Sequence, residues 1–177
     1  PYAQPALFDP DNPLRFDLGA ELVGEWSPLP GLYLSGAVRQ KLAGNLDEST
    51  RVSTSVLPHV RSDAALYYKS DRPQVQWLTA EYFLRPARNL YGRLTLGLFE
   101  PMYGGASAEL LWAPVDSRFA LGLEVNQAVM RDTEGLGFQD YKVLTGHASA
   151  YVDIGGGYQA QLDAGRYLAG DLGATLT

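Results

Sequence analysis

The chain has no cysteine, only two histidines and only two methionines in 177 residues. The absence of cysteine excludes a disulfide framework and any thiolate metal site. With His59 and His147 alone, and no HExxH spacing, a metal centre would need carboxylates gathered by the fold, so no metal or cofactor is expected. There is no basic run: 14 Lys and Arg stand against 20 Asp and Glu, a net charge of -6. That lacks the basic stripe of a nucleic-acid binder. No stretch approaches the roughly 20 apolar residues of a membrane-spanning helix, and the mean hydropathy is only -0.14. No Walker A or dinucleotide fingerprint occurs. GGASAE (Gly104 to Glu109) lacks the GxSxG spacing of a nucleophile elbow, which leaves Ser107 an ordinary serine. None of these absences speaks against a transmembrane β-barrel, whose alternating strands look mild on a hydropathy plot.

What is present is alternation. There are 19 Gly, 11 Tyr and 6 Phe, a composition suited to strands. In Leu90 to Leu98, Leu90, Gly92, Leu94, Leu96 and Leu98 share a face opposite Tyr91, Arg93 and Thr95. In the strand that follows, Ala106, Ala108, Leu110 and Trp112 oppose Ser107 and Glu109. A period of two marks a strand, because successive side chains leave opposite sides of the pleat. Leu14 to Trp26 repeats the pattern: Leu14, Phe16, Leu18, Ala20, Leu22 and Trp26 against Arg15, Asp17, Glu21 and Glu25. Similar strands are expected over Leu32–Lys41, Gln74–Arg85, Phe119–Asn126, Tyr141–Asp153, Tyr158–Ala164 and from Leu172 onward. Leu14 to Trp26 exceeds the usual soluble strand of about 5–6 residues. It reaches the roughly 9–11 that a tilted transmembrane strand needs.

The connections alternate in length. Ser27–Gly31, Pro86–Asn89, Val115–Ser117 and Ile154–Gly157 are short. Leu42–Pro73 and Met130–Asp140 are long, Pro101–Gly105 is intermediate, and Gly165–Asp171 forms a loop or bulged turn. The long Leu42–Pro73 segment has room for a further short hairpin. Residues 1–13 hold four prolines without periodicity and are expected to be an incoming loop. Asp9 and Asp11 beside those prolines suit turns better than a calcium loop. A start at Pro1 without Met or leader, and a stop at Thr177 inside a strand, point to a fragment of a longer protein, with residues 1–177 one barrel segment.

The expected fold is therefore all-β, an antiparallel up-and-down meander forming part of a transmembrane outer-membrane β-barrel. Its apolar face would meet lipid and its charged face a wet interior. The alternative is a soluble β-sandwich or small barrel whose apolar face is the core, since periodicity is the same in both. For chemistry, Glu109 and Glu124 are the one carboxylate pair on neighbouring strands. A pair about 5–9.5 Å apart could serve a glycosidase, although a polar lumen with Arg93 as partner accounts for both. Arg61 with Asp63, and Arg166 with Asp171, suit loop-fixing ion pairs or contacts to sugar hydroxyls. Tyr-, Arg- and Asp-rich loops suit carbohydrate, because tyrosine rings stack on apolar sugar faces.

Five segments carry a resemblance: LPHVRSD (Leu57–Asp63), GLFEPMYGGASAELLWAP (Gly97–Pro114), LGLEVNQAVMRD (Leu121–Asp132), DYKVLTGHASAYVD (Asp140–Asp153) and GRYLAGDLGATLT (Gly165–Thr177). In this order, and above all TGHASAY with GRYLAGD, they resemble the YjbH/GfcD-type outer-membrane proteins of exopolysaccharide and capsule production in Gram-negative bacteria. The resemblance implies a piece of a larger outer-membrane barrel in polysaccharide export or assembly, with polysaccharide, outer-membrane lipid and periplasmic or lipoprotein partners. It carries over no catalytic residues, and a non-enzymatic role is expected. The matching residues Arg61, Asp63, Glu100, Glu109, Arg131, His147, Arg166 and Asp171 become candidates for lumen or loop function. All of these except Glu100, together with Arg93 and Glu124, are the expected polysaccharide contacts.

Overall fold

A computed structural model describes residues 1–8, 11–50 and 53–177. Ten strands follow one another: β1 Tyr2–Leu7, β2 Leu14–Leu29, β3 Leu32–Gly44, β4 Gln74–Ala87, β5 Leu90–Leu98, β6 Tyr103–Trp112, β7 Phe119–Arg131, β8 Phe138–Gly155, β9 Tyr158–Arg166 and β10 Leu172–Leu176. Each pairs antiparallel with its sequence neighbours, giving one sheet in the order β1 to β10. The end strands β1 and β10 do not pair with each other, so the sheet is open. Among the described residues no helix is long and apolar enough to cross a membrane.

Residues 1–13 are not a loop throughout, because Tyr2–Leu7 forms β1 against β2. Proline misleads here. It cannot donate to a ladder, yet Pro5 lies in a strand at the edge of the sheet, where that loss is tolerated. Asp9 falls outside the described residues, and Asp11 accepts a hydrogen bond from Thr50 Oγ1 at 2.7 Å.

Several strands run past their expected ends. β2 continues to Leu29, so the first tight turn is Pro30–Gly31, where Gly31 has φ +85°. A Cβ there would lie 2.6 Å from Phe83 O, so glycine serves both the turn and the close approach. β7 extends to Arg131 and β8 starts at Phe138, which shortens the expected Met130–Asp140 loop to 132–137. Gly104 and Gly105 belong to β6, not to the preceding link, and Arg166 ends β9. Polar residues at strand ends hide the ladder from a periodicity reading, because the pattern stops before the hydrogen bonds do. The long segment after β3 holds no hairpin among its described residues. It contains two 3-10 turns, Leu46–Glu48 and Ala64–Tyr68.

The connections segregate by end. Residues 30–31, 88–89, 113–118 and 156–157 lie at one end of the sheet; 8, 11–13, 45–50, 53–73, 99–102, 132–137 and 167–171 lie at the other.

Burial is inverted relative to a soluble sandwich. In β2, Arg15 and Asp17 are 4% and 5% exposed, whereas Leu22 on the opposite face is 78% exposed. The same holds along the sheet, with Leu78, Leu94, Leu96, Leu121, Leu123, Leu144 and Leu162 all exposed. Leu98, at the end of β5, is the exception and is buried. No second sheet covers the apolar face among the described residues, so that face is not the core of this fold. The buried cluster instead gathers Tyr67, Met102, Tyr103, Ala128 and Val143. Tyr103, Ala128 and Val143 stand on the polar-face side of their strands, at the long-connection end.

Gly105, opposite Ala128 with φ +142°, has no room for a side chain: a Cβ would lie 1.9 Å from Gln127 O. Gly105→Ala should destabilise the folded protein by about 1–3 kcal/mol through backbone strain. The check is the urea midpoint of the full-length protein, and an unchanged midpoint would refute the strain.

Candidate functional site

The polar face carries a band of charge built by register. Antiparallel pairing sets Arg93 opposite Glu109, Glu109 opposite Glu124, and Glu124 opposite His147. Two carboxylates directly across a strand pair repel, and Arg93 offsets this. Its Nε donates to Glu109 Oε1 at 3.1 Å, its Nη2 makes a second bond to the same oxygen, and Glu81 lies 3.9 Å from Nη1. Glu124 accepts from the Asn126 side-chain amide. Next along the band, Asp163 accepts from Ser149 Oγ and from Gln161 Nε2. His147 packs edge-on against Tyr167, with ring centroids 4.7 Å apart. On the β1 side, Arg39 pairs with Glu21 at 2.6 Å, donates to Gln4 Oε1 at 3.0 Å and lies over the Tyr2 ring. Each half-exposed pair contributes at most about 1 kcal/mol. The band is a network of partly paired charges in which carboxylates outnumber cations, more than a source of stability.

At the long-connection end the β3–β4 segment folds onto this face and is tied there. Tyr67, buried, donates from Oη to Arg131 O at 2.7 Å. Tyr103 Oη donates to Val60 O at 2.9 Å, and Gln74 Nε2 to Tyr67 O at 2.7 Å. Burial pushes the Tyr67 phenol above its ordinary pKa, consistent with a donor role. Arg131 is 3% exposed, its Nη1 donating to Val75 O and Glu100 O at 3.0 and 2.6 Å. Its guanidinium thus ties the end of β7 to β4 and to the β5–β6 connection, and it is almost wholly covered.

The sequence-expected ion pairs take other partners. Arg61 pairs with Glu100 at 2.7 Å and lies over the Tyr103 ring, not with Asp63. Asp63 holds His59 at 3.0 Å. Arg166 Nε donates to Gly170 O at 3.1 Å, closing its turn through a carbonyl where Asp171 was expected. Sequence spacing gives proximity along the chain, but the loop fold brought Glu100 and His59 closer. The expected contact residues therefore fall into three places. Arg93, Glu109, Glu124 and His147 share the band; Arg61, Asp63 and Arg131 lie in the loop knot; Arg166 and Asp171 lie in the last turn. Sequence reasoning placed Tyr33, Phe83 and Tyr91 on the polar face but did not count them among the site residues. Their alternation with charged residues was the signal available.

The comparisons with known proteins bear on this geometry. Over residues 1–177 the chain matches the YjbH family, described as exopolysaccharide biosynthesis protein YbjH. It belongs to that family. A relative, the uncharacterized lipoprotein YjbH of Escherichia coli (strain K12), is 33% identical over 185 residues, covering 99% of this chain and 26% of that protein. The chain thus spans about a quarter of the length of the relative it matches. No solved structure shows a significant match. Membership agrees with the resemblance carried by the five segments.

One group in the knot, His59, has its pKa raised by its two hydrogen-bond partners. His59 Nε2 lies 2.7 Å from Ser55 O, a pure acceptor, and Nδ1 lies 3.0 Å from the Asp63 carboxylate. Both nitrogens must donate to satisfy both contacts, which requires the imidazolium. The Ser55 carbonyl first, and Asp63 second, raise the pKa above 6.5. A raised folded-state pKa means this support for the loop is complete below 6.5 and is lost as pH rises through the folded value. In the full-length protein, Asp63→Asn should move the His59 midpoint downward, read from its ring-proton shifts by NMR. A midpoint unmoved by the substitution would count against the pair.

Proposed function

We propose that this chain is part of an outer-membrane β-barrel that takes part in exopolysaccharide export or assembly, its polar face contacting the polysaccharide. The observation that carries this reading is the exposed apolar face. Lipid is the solvent that makes exposed Leu22, Leu123 and Leu162 favourable, and strands cross it only in a closed sheet. Closure would come from strands elsewhere in the longer protein pairing with β1 and β10. Aromatic residues support the same orientation. Exposed Trp26, Tyr82, Trp112 and Phe119 stand toward the short-connection end of the apolar face, and Phe16 and Phe138 toward the other. Aromatic girdles flank the apolar band of outer-membrane barrels in this way. Short connections at one end and longer ones at the other match periplasmic turns and extracellular loops. The relative's printed name, a lipoprotein, fits a place in the cell envelope and membrane partners.

On this reading the chain is not an enzyme. Glu109 and Glu124 face each other across β6 and β7, the arrangement a glycosidase pair would need, but Arg93 binds Glu109 and reaches toward Glu81. The carboxylates belong to a network that shapes a wet surface. Full-length protein incubated with the host's exopolysaccharide should leave its chain length unchanged. Cleavage that Glu109→Gln abolishes would establish the enzymatic alternative instead.

Membrane burial makes a sharper demand on Leu123, mid-strand in β7 and 54% exposed. An arginine near the bilayer midplane costs about 2–4 kcal/mol. Leu123→Arg should reduce the heat-modifiable, folded form of the full-length protein in outer-membrane fractions. Cells lacking the protein should release less exopolysaccharide. Normal folded yield of Leu123→Arg would contradict the lipid-facing assignment.

A further inference from the structure

The polar face holds aromatic side chains that neither the loop knot nor the charge band uses. Phe83 is 45% exposed on this otherwise hydrophilic side. Tyr33 packs edge-on against it, with ring centroids 5.6 Å apart and planes at 88°. A cleft of about 410 Å³ lies over this pair, bounded by Glu25, Ser35 and Glu81. A second cleft of about 370 Å³ begins on the other side of Phe83 and extends over Tyr91, Glu109 and Glu124 to Tyr151. Phe83 lines both, so the two clefts form one track. The track crosses from β3 to β8, roughly 24 Å at the usual strand spacing. It lies toward the short-connection end, away from the knot of Tyr67 and Tyr103.

We infer that this track is a binding site for a neutral glycan chain, with Tyr33, Phe83, Tyr91 and Tyr151 as stacking platforms and the flanking carboxylates as acceptors for sugar hydroxyls. The inference rests on the proposed role in exopolysaccharide handling and specifies the site and the sugar class. Aromatic rings at intervals along a polar groove suit pyranose units, which have apolar ring faces and hydroxylated edges. The rings offer large, rigid contact area with a polar tip on each Tyr. Charge selects among glycans. Glu25, Glu81, Glu109 and Glu124 line the track against one lining cation, Arg93, which is already bonded to Glu109. Arg85 lies over the Tyr91 ring, 5.3 Å from its centroid, and is stacked there. A chain of uronic acids would meet net like charge in a groove that focuses the field. A neutral chain would meet the same acceptors without that repulsion.

The test measures binding of maltohexaose, cellohexaose and hexagalacturonic acid to the full-length protein in detergent, by calorimetry and saturation-transfer NMR. At least one neutral hexasaccharide should bind, with hexagalacturonic acid at least tenfold weaker. Phe83→Ala should weaken the neutral sugar by about tenfold or more, while Phe83→Tyr retains binding. Heat-modifiable migration of each variant reports that it has folded. Glu81→Gln should narrow the gap between neutral and acidic probes. Acid bound as tightly as neutral sugar, no neutral binding, or a folded Phe83→Ala variant with unchanged binding would each overturn the track. Exopolysaccharide release separates this from the wider reading. If loss of the whole protein leaves release unchanged, the proposed function fails; if only the binding results fail, the track alone falls.

Discussion

The backbone ladder of the sheet constrains everything else in this chain. Each strand satisfies its N–H and C=O groups on its neighbours, so side chains must alternate between two faces. The chain uses that alternation to concentrate leucine on one face and charge on the other. The ladder also determines which charges meet. Register sets Glu109 opposite Glu124, an arrangement that is unfavourable unless a cation intervenes. Arg93, opposite Glu109 on the next strand, is the residue placed to do so. A slip of one residue in that pairing would move the whole set to the leucine face.

The polar face is divided along the strands. At one end the β3–β4 segment is fastened onto it by backbone-directed bonds from Tyr67, Tyr103, Gln74 and Arg131. The middle holds ion pairs with carboxylates in excess. The other end has open clefts floored by aromatic rings. This gradient from packed to charged to aromatic concentrates the buried residues near the loops and leaves accessible surface toward the tight turns. The accessible end is the part of the polar face that the packed β3–β4 segment leaves uncovered.

Much of the fold was legible. The alternation in Leu14–Trp26, Gln74–Arg85 and Leu90–Leu98 located strands that the structure contains, because a face of one polarity leaves a period of two in the sequence. β1 was not legible, since Pro5 and its neighbouring prolines imitate a linker and only pairing with Phe16 shows a strand. The ends of β7 and β8 were hidden for a related reason: Arg131 and Gln139 are polar yet lie in the ladder. Within the candidate site, the clustering of Arg93 with Glu109 and Glu124 followed from strand order. The true partners of Arg61 and Asp63 did not, because a loop's contacts depend on how it folds back over distant strands.

The sequence by itself determined the class of fold, the two-faced chemistry of the strands and, through its five segments, the family. Those properties are local: they need only the pleat and the identity of successive residues. The tertiary structure alone decided which face is covered. Alternation is identical whether leucine points into a core or out of it, and only the packing of Tyr67 and Val143 on the charged side shows the covered one. It also decided that Glu100, not Asp63, pairs with Arg61, and that Tyr33 and Phe83 meet. These contacts join residues far apart in the chain, and their distances exist only once the strands are in register.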